Sequence, residues 1–312
     1  MVPDRTARPT GPSRTVHATD ATLPLDDATP PPPVRSLRHA SPDGLFDDHA
    51  MIRRVHRERA VMLHGARTLL MQAAHPLAFA GFWGATAAQE PEKAYPRLER
   101  TAEAMATAVF GSADQAEAMG RRVRAIHGAV SGVLDRDAGP WPAGTRWRAD
   151  DPELLLWILA SLVDSALVVH DRFVRPLRPE ERDAFWRDYR VVGELFGLRQ
   201  EDMPQTIAQF DAYIADTLAS ERVQVLDDAR LAGTRIVLHP PVPLHLRPVL
   251  RVVNEITASL LPPKVRKGFR LRWDPARDLG VDALGLWSRR VLTPVLPTSL
   301  AWTSHGSPAP IA

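Results

Sequence analysis

The stretch DDPELLLWILASLVDSALVVHDRFV, residues 150–174, decides the fold class of this 312-residue chain. Asp150 and Asp151 form an acidic helix start, and the proline that follows stands at the first helical position, where its missing N–H costs nothing. The apolar run after it predicts a helix that continues to the end of the stretch and passes through the middle of the fold. Asp164 interrupts the uncharged run, so we expect a core helix and no transmembrane span.

Helical periodicity extends over most of the chain between two polar tails. We expect helices at about 47–74, 91–110, 112–134, 179–197, 206–218 and 227–232, and proline-punctuated helices at 248–260 and 281–291. Pro76 ends the first helix, because a proline disfavours the α conformation in the residue before it, and Ser112 suits the cap of the third. No segment has a convincing strand pattern, so we predict an all-α, single multi-helix domain over residues 43–300. The proline-rich residues 1–42 are predicted to be disordered, and residues 301–312 to be a flexible tail.

The composition excludes several kinds of site. The chain has no cysteine, which excludes disulfides, iron–sulfur clusters and thiolate-ligated heme. Its 39 basic and 37 acidic side chains are interspersed along the predicted helices, so we expect no nucleic-acid partner. The N-terminal residues contain no apolar signal segment, and we predict a cytoplasmic protein without stable membrane insertion.

The histidines are the most informative residues for chemistry. The sequence has no zinc-protease, P-loop or dinucleotide-binding motif, no nucleophile elbow, and no Glu-x-x-His pair of the di-iron type. His56 and His64 fit ordinary helix histidines, whereas His75 fits either a helix C-terminal cap or the wall of a pocket. His127 lies in an apolar helical stripe beside Gly128, which leaves room for a flat group near the backbone. Spacing alone leaves both a core histidine and a ligand open for His127.

A second pattern lies on the helix predicted at 91–110. Arg97, Arg100 and Thr101 fall at positions i, i+3 and i+4, so they share one face of that helix. Such a face is either a solvated charged surface or a group of cations that holds acidic groups, such as propionates. The spacing does not choose between these two interpretations.

Several segments taken together resemble the DUF2236 family, the heme-dependent oxygenases related to latex clearing protein and MpaB. The resemblance covers roughly residues 45–240. No single segment is specific to the family, but the order and spacing of the segments are specific. The matching segments are Leu63–Ala78, Arg97–Thr101, Arg124–His127, Asp150–Trp157, Leu162–Ser165, Arg172–Arg175 and Tyr189–Gly197. The resemblance implies an all-helical fold around one b-type heme.

The resemblance also assigns roles to individual residues. The family's Arg-x-x-His segment carries the proximal iron ligand, which maps to His127. A polar distal group with catalytic roles maps to Arg97, Arg100 and Thr101, and cofactor contacts map to Arg67, His75 and Arg124.

This chain departs from the family's best-known member on the distal side. Latex clearing protein has a lysine where this chain has Arg100, and arginine stays charged and does not ligate iron. The family's glutamate base lies in the loop before that segment, where this chain offers Glu90 and Glu92. Candidates for the wall of an apolar substrate pocket are Phe79, Phe82 and Trp83.

The function predicted on this basis is a heme b-dependent oxygenase with dioxygen as co-substrate and a hydrophobic small molecule as substrate. The family's known substrates are isoprenoid chains. Two alternatives stay open, which are a heme-binding or heme-sensing protein without turnover and a cofactor-free protein that binds a hydrophobic ligand. The substrate, the sixth iron ligand and the oligomeric state do not follow from the sequence.

Overall fold

The computed structural model describes residues 44–82, 93–292 and 295, and within them the chain is mostly helical. The prediction of an all-α domain is therefore confirmed. The helices are α1 (Met51–His56), α2 (His64–Ala73), α3 (Pro76–Phe82), α4 (Tyr95–Phe110), α5 (Ala113–Ala129), α6 (Pro152–Phe173), α7 (Pro179–Phe196), α8 (Ile207–Ala219), α9 (Asp227–Ala232), α10 (Arg247–Leu260), α11 (Pro263–Gly268) and α12 (Pro275–Trp287). The tails predicted at 1–42 and 301–312 lie outside the described residues.

Helix α6 is the central element, as predicted. The Asp151 carboxylate accepts a hydrogen bond from the backbone N–H of Glu153 at 2.8 Å, which caps the helix at its first turn. Side chains on nearly every side of α6 are buried, and α2 packs along it. By length and composition α6 would also suit a membrane span, but most of it lies inside the domain.

The single helix predicted at 47–74 is wrong, because the chain breaks between α1 and α2. Glu58 has extended backbone angles (φ −69°, ψ 118°), and a 3-10 turn at Arg59–Leu63 precedes α2. Tertiary contacts favour the break. The backbone N–H of Ile52 donates to the Asp188 carboxylate of α7 at 3.0 Å, which fixes α1 separately. Pro76 ends the first helical region as predicted and also stands at the start of α3.

Two short strands replace the predicted C-terminal part of the third helix. Helix α5 ends at Ala129, and β1 (Ser131–Val133) pairs antiparallel with β2 (Arg146–Arg148), so the prediction of no strand is wrong. Gly132 faces Trp147 in this register, and a Cβ at Gly132 would lie 2.6 Å from the indole ring. The packing of Trp147 on Gly132 therefore stabilises the pairing of β1 with β2. This contact favours the hairpin over a continuation of α5.

Helices α4 and α5 form a pair joined by two residues, Gly111 and Ser112. Ser112 Oγ accepts from the backbone N–H of Gln115 at 3.3 Å, and the Gln115 side chain accepts from the Ser112 N–H at 3.0 Å. This capping box confirms Ser112 as the cap of the third predicted helix.

Candidate functional site

His127, the predicted iron ligand, lies on α5, and the predicted distal residues Arg97, Arg100 and Thr101 lie on α4. His127 is in the last turn of α5, about 20 Å along the helix from Ser112. Arg97 lies in the first turn of α4, also about 20 Å from the connection. The sequence prediction placed His127 in the middle of a helix, whereas the structure places it near a helix end.

The imidazole of His127 has an unusual environment. His127 is partly buried, and its Nδ1 is inaccessible to solvent with no hydrogen-bond partner among the described residues. Burial lowers the pKa of His127, and the negative charge of Asp150 opposes part of this effect. The ring is therefore held neutral near pH 7, which is the form that binds a metal ion.

An arginine and an aspartate of the β2 segment organise the surroundings of His127. Arg148 Nη2 donates to the carbonyl oxygen of Gly128 at 3.3 Å, and Arg148 Nε and Nη2 donate to Asp150 at 2.8 and 2.7 Å. The hydrogen bond from Arg148 holds the pKa of Asp150 below its usual value, and His127 adds a smaller effect in the same direction. The sequence analysis used Asp150 only as a helix start and missed both residues, because their relation to His127 depends on the hairpin.

Gly128 provides open space next to this histidine. A Cβ built at Gly128 would meet no atom within 4 Å. Since a glycine in a helix costs stability relative to alanine, open space at such a position suits the close approach of a flat group to the backbone.

Arg97, Arg100 and Thr101 share an exposed face, as predicted. Thr101 Oγ1 donates to the backbone carbonyl of Arg97 at 2.9 Å, which is a local helix contact. Although Arg97 is exposed as a residue, desolvation of its guanidinium lowers its pKa, and the like charge of Arg100 lowers it further. Two neighbouring guanidinium groups favour the binding of an anion.

Arg124, the other residue of the Arg-x-x-His segment, braces the helix pair against α7. Its Nη1 donates to the Leu195 carbonyl oxygen at 2.6 Å, and its aliphatic carbons lie 3.6 Å from a Cβ built at Gly197. These contacts give Arg124 a structural role, and its assignment to the cofactor stays a prediction.

Comparison with known proteins identifies the family. The family described as ER-bound oxygenase mpaB/B'/Rubber oxygenase, catalytic domain, matches residues 53–290, which is most of the chain. The chain belongs to this oxygenase family. Uncharacterized proteins of Mycobacterium bovis and Mycobacterium tuberculosis are each 26% identical to it over 154 residues, which is 49% of this chain. The match spans 60% of the length of those two relatives, and no solved structure matches the chain.

Two further residues that the resemblance assigned to the cofactor are buried among other protein groups in this oxygenase-family domain. His75 Nδ1 accepts from the backbone N–H of Ala78 at 3.3 Å, and its ring lies 5.0 Å from that of Trp141 and 5.9 Å from that of Trp157. Burial lowers the pKa of His75 to about 4, and Arg222 adds to the effect. All three guanidinium nitrogens of Arg67 contact protein oxygens, so both assignments stay predictions.

Three histidines meet in the core of this oxygenase-family domain, and two of them, His56 and His64, were predicted to be ordinary helix residues. His56 Nε2 lies 2.6 Å from the Tyr189 hydroxyl, and its ring contacts that of His64 edge-on at 5.6 Å. His170 Nδ1 donates to the carbonyl oxygen of Arg175 at 2.9 Å. The eight-residue spacing of His56 and His64 was the available signal, but their partners on α6 and α7 are distant in sequence.

The structure describes only some of the residues predicted to form the wall of the apolar substrate pocket and to supply the catalytic base. Phe79 is buried in the main core, whereas Trp83, Glu90, Glu92 and the side chain of Phe82 lie outside the described residues. A cavity of about 230 Å³ lies away from His127, between α1 and the C-terminal end of α6, and His170 and Arg175 are among its lining residues. It is smaller than the roughly 300–1,000 Å³ of typical ligand pockets. The described residues include no group of three or more His, Asp or Glu that would hold a metal ion by themselves.

Proposed function

We propose that this oxygenase domain uses heme b, that His127 supplies the protein ligand to its iron, and that dioxygen and a hydrophobic molecule, in the isoprenoid class, are the substrates. The observation that carries the proposal is the buried Nδ1 of His127, which has no hydrogen-bond partner among the described residues. In many heme proteins a single histidine of the protein ligates the iron, so one such residue is sufficient. The family membership supports the oxygenase activity itself.

The residues around His127 fit a planar, acidic cofactor. Open space at Gly128 gives a flat ring access to the helix, and the nearby negative charge of Asp150 interacts favourably with the ring of His127. Arg97 and Arg100, on α4, present two neighbouring cations to acidic groups such as propionates.

When bound, heme would supply the redox chemistry with dioxygen, and the protein would contribute binding and orientation. In this proposal His127 holds the cofactor through a neutral ring, while Arg148 keeps Asp150 ionised beside it. Arg97, Arg100 and Thr101, on α4, would bind and orient acidic or polar groups of the cofactor or substrate. We further propose that the domain acts in the cytoplasm. Most of α6, the helix that would suit a membrane span by length and composition, lies inside the domain.

Hemin titration of the purified chain tests the proposal. We expect a Soret band that saturates at one heme per chain, that is lost in His127→Ala, and that is retained in His245→Ala, a matched control at an exposed histidine. Oxygen consumption with an unsaturated isoprenoid then separates an oxygenase from a heme-binding protein without turnover. A wild-type chain that binds no hemin, or a His127→Ala chain that binds it as well as wild type, would contradict the proposal.

A further inference from the structure

The last turn of α5, which carries His127, lacks two ordinary sources of helix stability. The final carbonyl groups of an α-helix have no partner within the helix. Gly128, directly after His127, loses more conformational entropy in a helix than any other residue type would. The open space at Gly128, which suits the approach of a flat cofactor, therefore comes with a weakened turn at the proposed iron ligand.

The segment at the end of β2 supplies hydrogen bonds to this turn. The backbone N–H of Val130 donates to the His127 carbonyl oxygen at 3.2 Å, and the N–H of Ala149 donates to the Val130 carbonyl oxygen at 2.9 Å. Arg148 Nη2 donates to the Gly128 carbonyl oxygen at 3.3 Å. A cation at this position also interacts favourably with the dipole of α5, because it stands at the C-terminal end of the helix.

Asp150 holds the guanidinium of Arg148 in place. Nε and Nη2 of Arg148 donate to the two carboxylate oxygens of Asp150 at 2.8 and 2.7 Å, a paired geometry that fixes the plane of the guanidinium. Asp150 directly precedes Asp151, whose side chain caps the first turn of α6. The Arg148 side chain therefore connects the C-terminal end of α5 to the start of the central helix.

Trp147 anchors β2 from the opposite side of the strand. Successive side chains of a strand alternate between its two faces, so Trp147 and Arg148 lie on opposite faces of β2. The indole ring packs against two glycines, Gly132 of β1 and Gly81 of α3, where a built Cβ would lie 2.6 and 3.3 Å from the ring. The close contact with both glycines fixes β2 relative to β1 and α3, so Arg148 extends from a strand that is held in position.

We propose that Arg148 is a positioning residue for His127. Its guanidinium, held by Asp150, binds the Gly128 carbonyl and thereby fixes the last turn of α5, which sets the direction of the imidazole. Gly128 leaves the backbone open to the cofactor, and Arg148 restores the rigidity that the glycine removes. This role rests on the proposed function, in which His127 ligates the iron, and adds to it a residue that lies on neither α4 nor α5.

Hydrogen exchange of the heme-free chain tests whether Arg148 fixes the helix end. Arg148→Gln should speed the exchange of the amides of residues 127–130 by roughly 3- to 10-fold, the effect of losing one hydrogen bond. The amide of Ala116, which donates to Ser112 at the other end of α5, should not change. Arg146→Gln is the matched control, because Arg146 is an exposed arginine on the same face of β2, and it should leave all these amides at wild-type rates. Wild-type exchange of residues 127–130 in Arg148→Gln would overturn the proposal.

Hemin binding separates positioning from stability. Arg148→Gln should lower hemin affinity by about tenfold or more, as the loss of groups that orient a metal ligand does. It should also change the electron paramagnetic resonance spectrum of the ferric heme, which depends on the orientation of the imidazole plane, whereas Arg146→Gln should match wild type in both measurements. Faster exchange with wild-type affinity and spectrum would show that Arg148 only stabilises the end of α5, and would overturn the positioning role. A wild-type chain that binds no hemin would overturn the proposed function and this role together, and the exchange rates would still show whether Arg148 fixes the helix end.

Discussion

Arg67 and Asp164 form an ion pair inside the domain, with Nη2 of the guanidinium 2.7 Å from Oδ2 of the carboxylate. Arg67 is 3% exposed and also donates to the Leu260 carbonyl oxygen at 2.8 Å and to Ser165 Oγ at 2.6 Å. One side chain therefore connects α2 to the central helix α6 and to the end of α10. The aspartate that interrupts the apolar run of α6 is explained by this contact.

Removal of this guanidinium is expected to destabilise the fold strongly. Arg67→Met leaves the Asp164 carboxylate, which is largely buried, without its counter-ion, and we expect the free energy of unfolding to fall by roughly 3 kcal/mol. Urea denaturation measures the change. The double variant Arg67→Met/Asp164→Leu should recover part of the loss, because it no longer buries an unpaired charge. A loss under ~1 kcal/mol in Arg67→Met would show that the ion pair is not a structural brace.

The hydrogen bond between His56 and Tyr189 joins α1 to α7 across the core. Tyr189→Phe removes the hydroxyl and leaves His56 Nε2 without this partner, so we expect a loss of about 1–3 kcal/mol in unfolding free energy. A double-mutant cycle with His56→Leu isolates the pair, and its coupling energy should be at least about 0.5 kcal/mol. Additive effects of the two substitutions would mean that the contact does not contribute to stability.

Four core histidines predict a loss of stability in acid. Burial lowers the pKa of His56 to about 3 and the pKa values of His64, His75 and His170 to about 4. An unfolded histidine has a pKa of about 6.5, so the unfolded chain binds more protons as the pH falls below that value. The stabilising effect of the neutral rings is therefore complete above pH ~6.5 and is lost as the pH falls toward ~4.

The pH dependence is measured by urea denaturation between pH ~7 and pH ~5. The free energy of unfolding should decrease by up to ~1.4 kcal/mol per pH unit for each histidine that stays neutral in the fold. His75→Phe replaces one of the four rings with a group that does not titrate, and its slope should be shallower than that of wild type. Equal stability at the two ends of this range would contradict the prediction.

Gly128 and Gly65 form a matched pair of helix glycines. A Cβ built at either position meets no atom within 4 Å, so Gly128→Ala and Gly65→Ala should each stabilise the heme-free chain by about 0.5–1 kcal/mol. If the open side of Gly128 admits the cofactor, Gly128→Ala should also weaken hemin binding, whereas Gly65→Ala should not. Equal hemin affinity in the two variants would exclude a close approach of the cofactor to Gly128.

The candidate site was predictable in its parts but not in its surroundings. His127, Arg97, Arg100 and Thr101 were named from the order of sequence segments, and the structure places the first on α5 and the other three on the neighbouring helix α4. Arg148 and Asp150 were missed, because only the pairing of β1 with β2 brings them to the end of α5. Arg67 and His75 were named, but their hydrogen-bond partners were not.

The sequence by itself determined the helices with local signals. The cap at Asp151, the capping box at Ser112 and the apolar periodicity of α6 and α10 all depend on residues within four or so positions of one another. Such signals act before the chain is compact, so they are readable one segment at a time.

Only the tertiary structure decided the break at Glu58, the hairpin held by Trp147, and the neutral histidine cluster. His56 and Tyr189 are 133 residues apart in sequence, and Arg67 and Ser165 are 98 apart. Side chains so distant satisfy each other's hydrogen bonds only after folding has brought them together, and burial lowers the pKa values of the core histidines only once water is excluded. The lowered pKa of His127 has the same origin, because burial within the folded domain causes it.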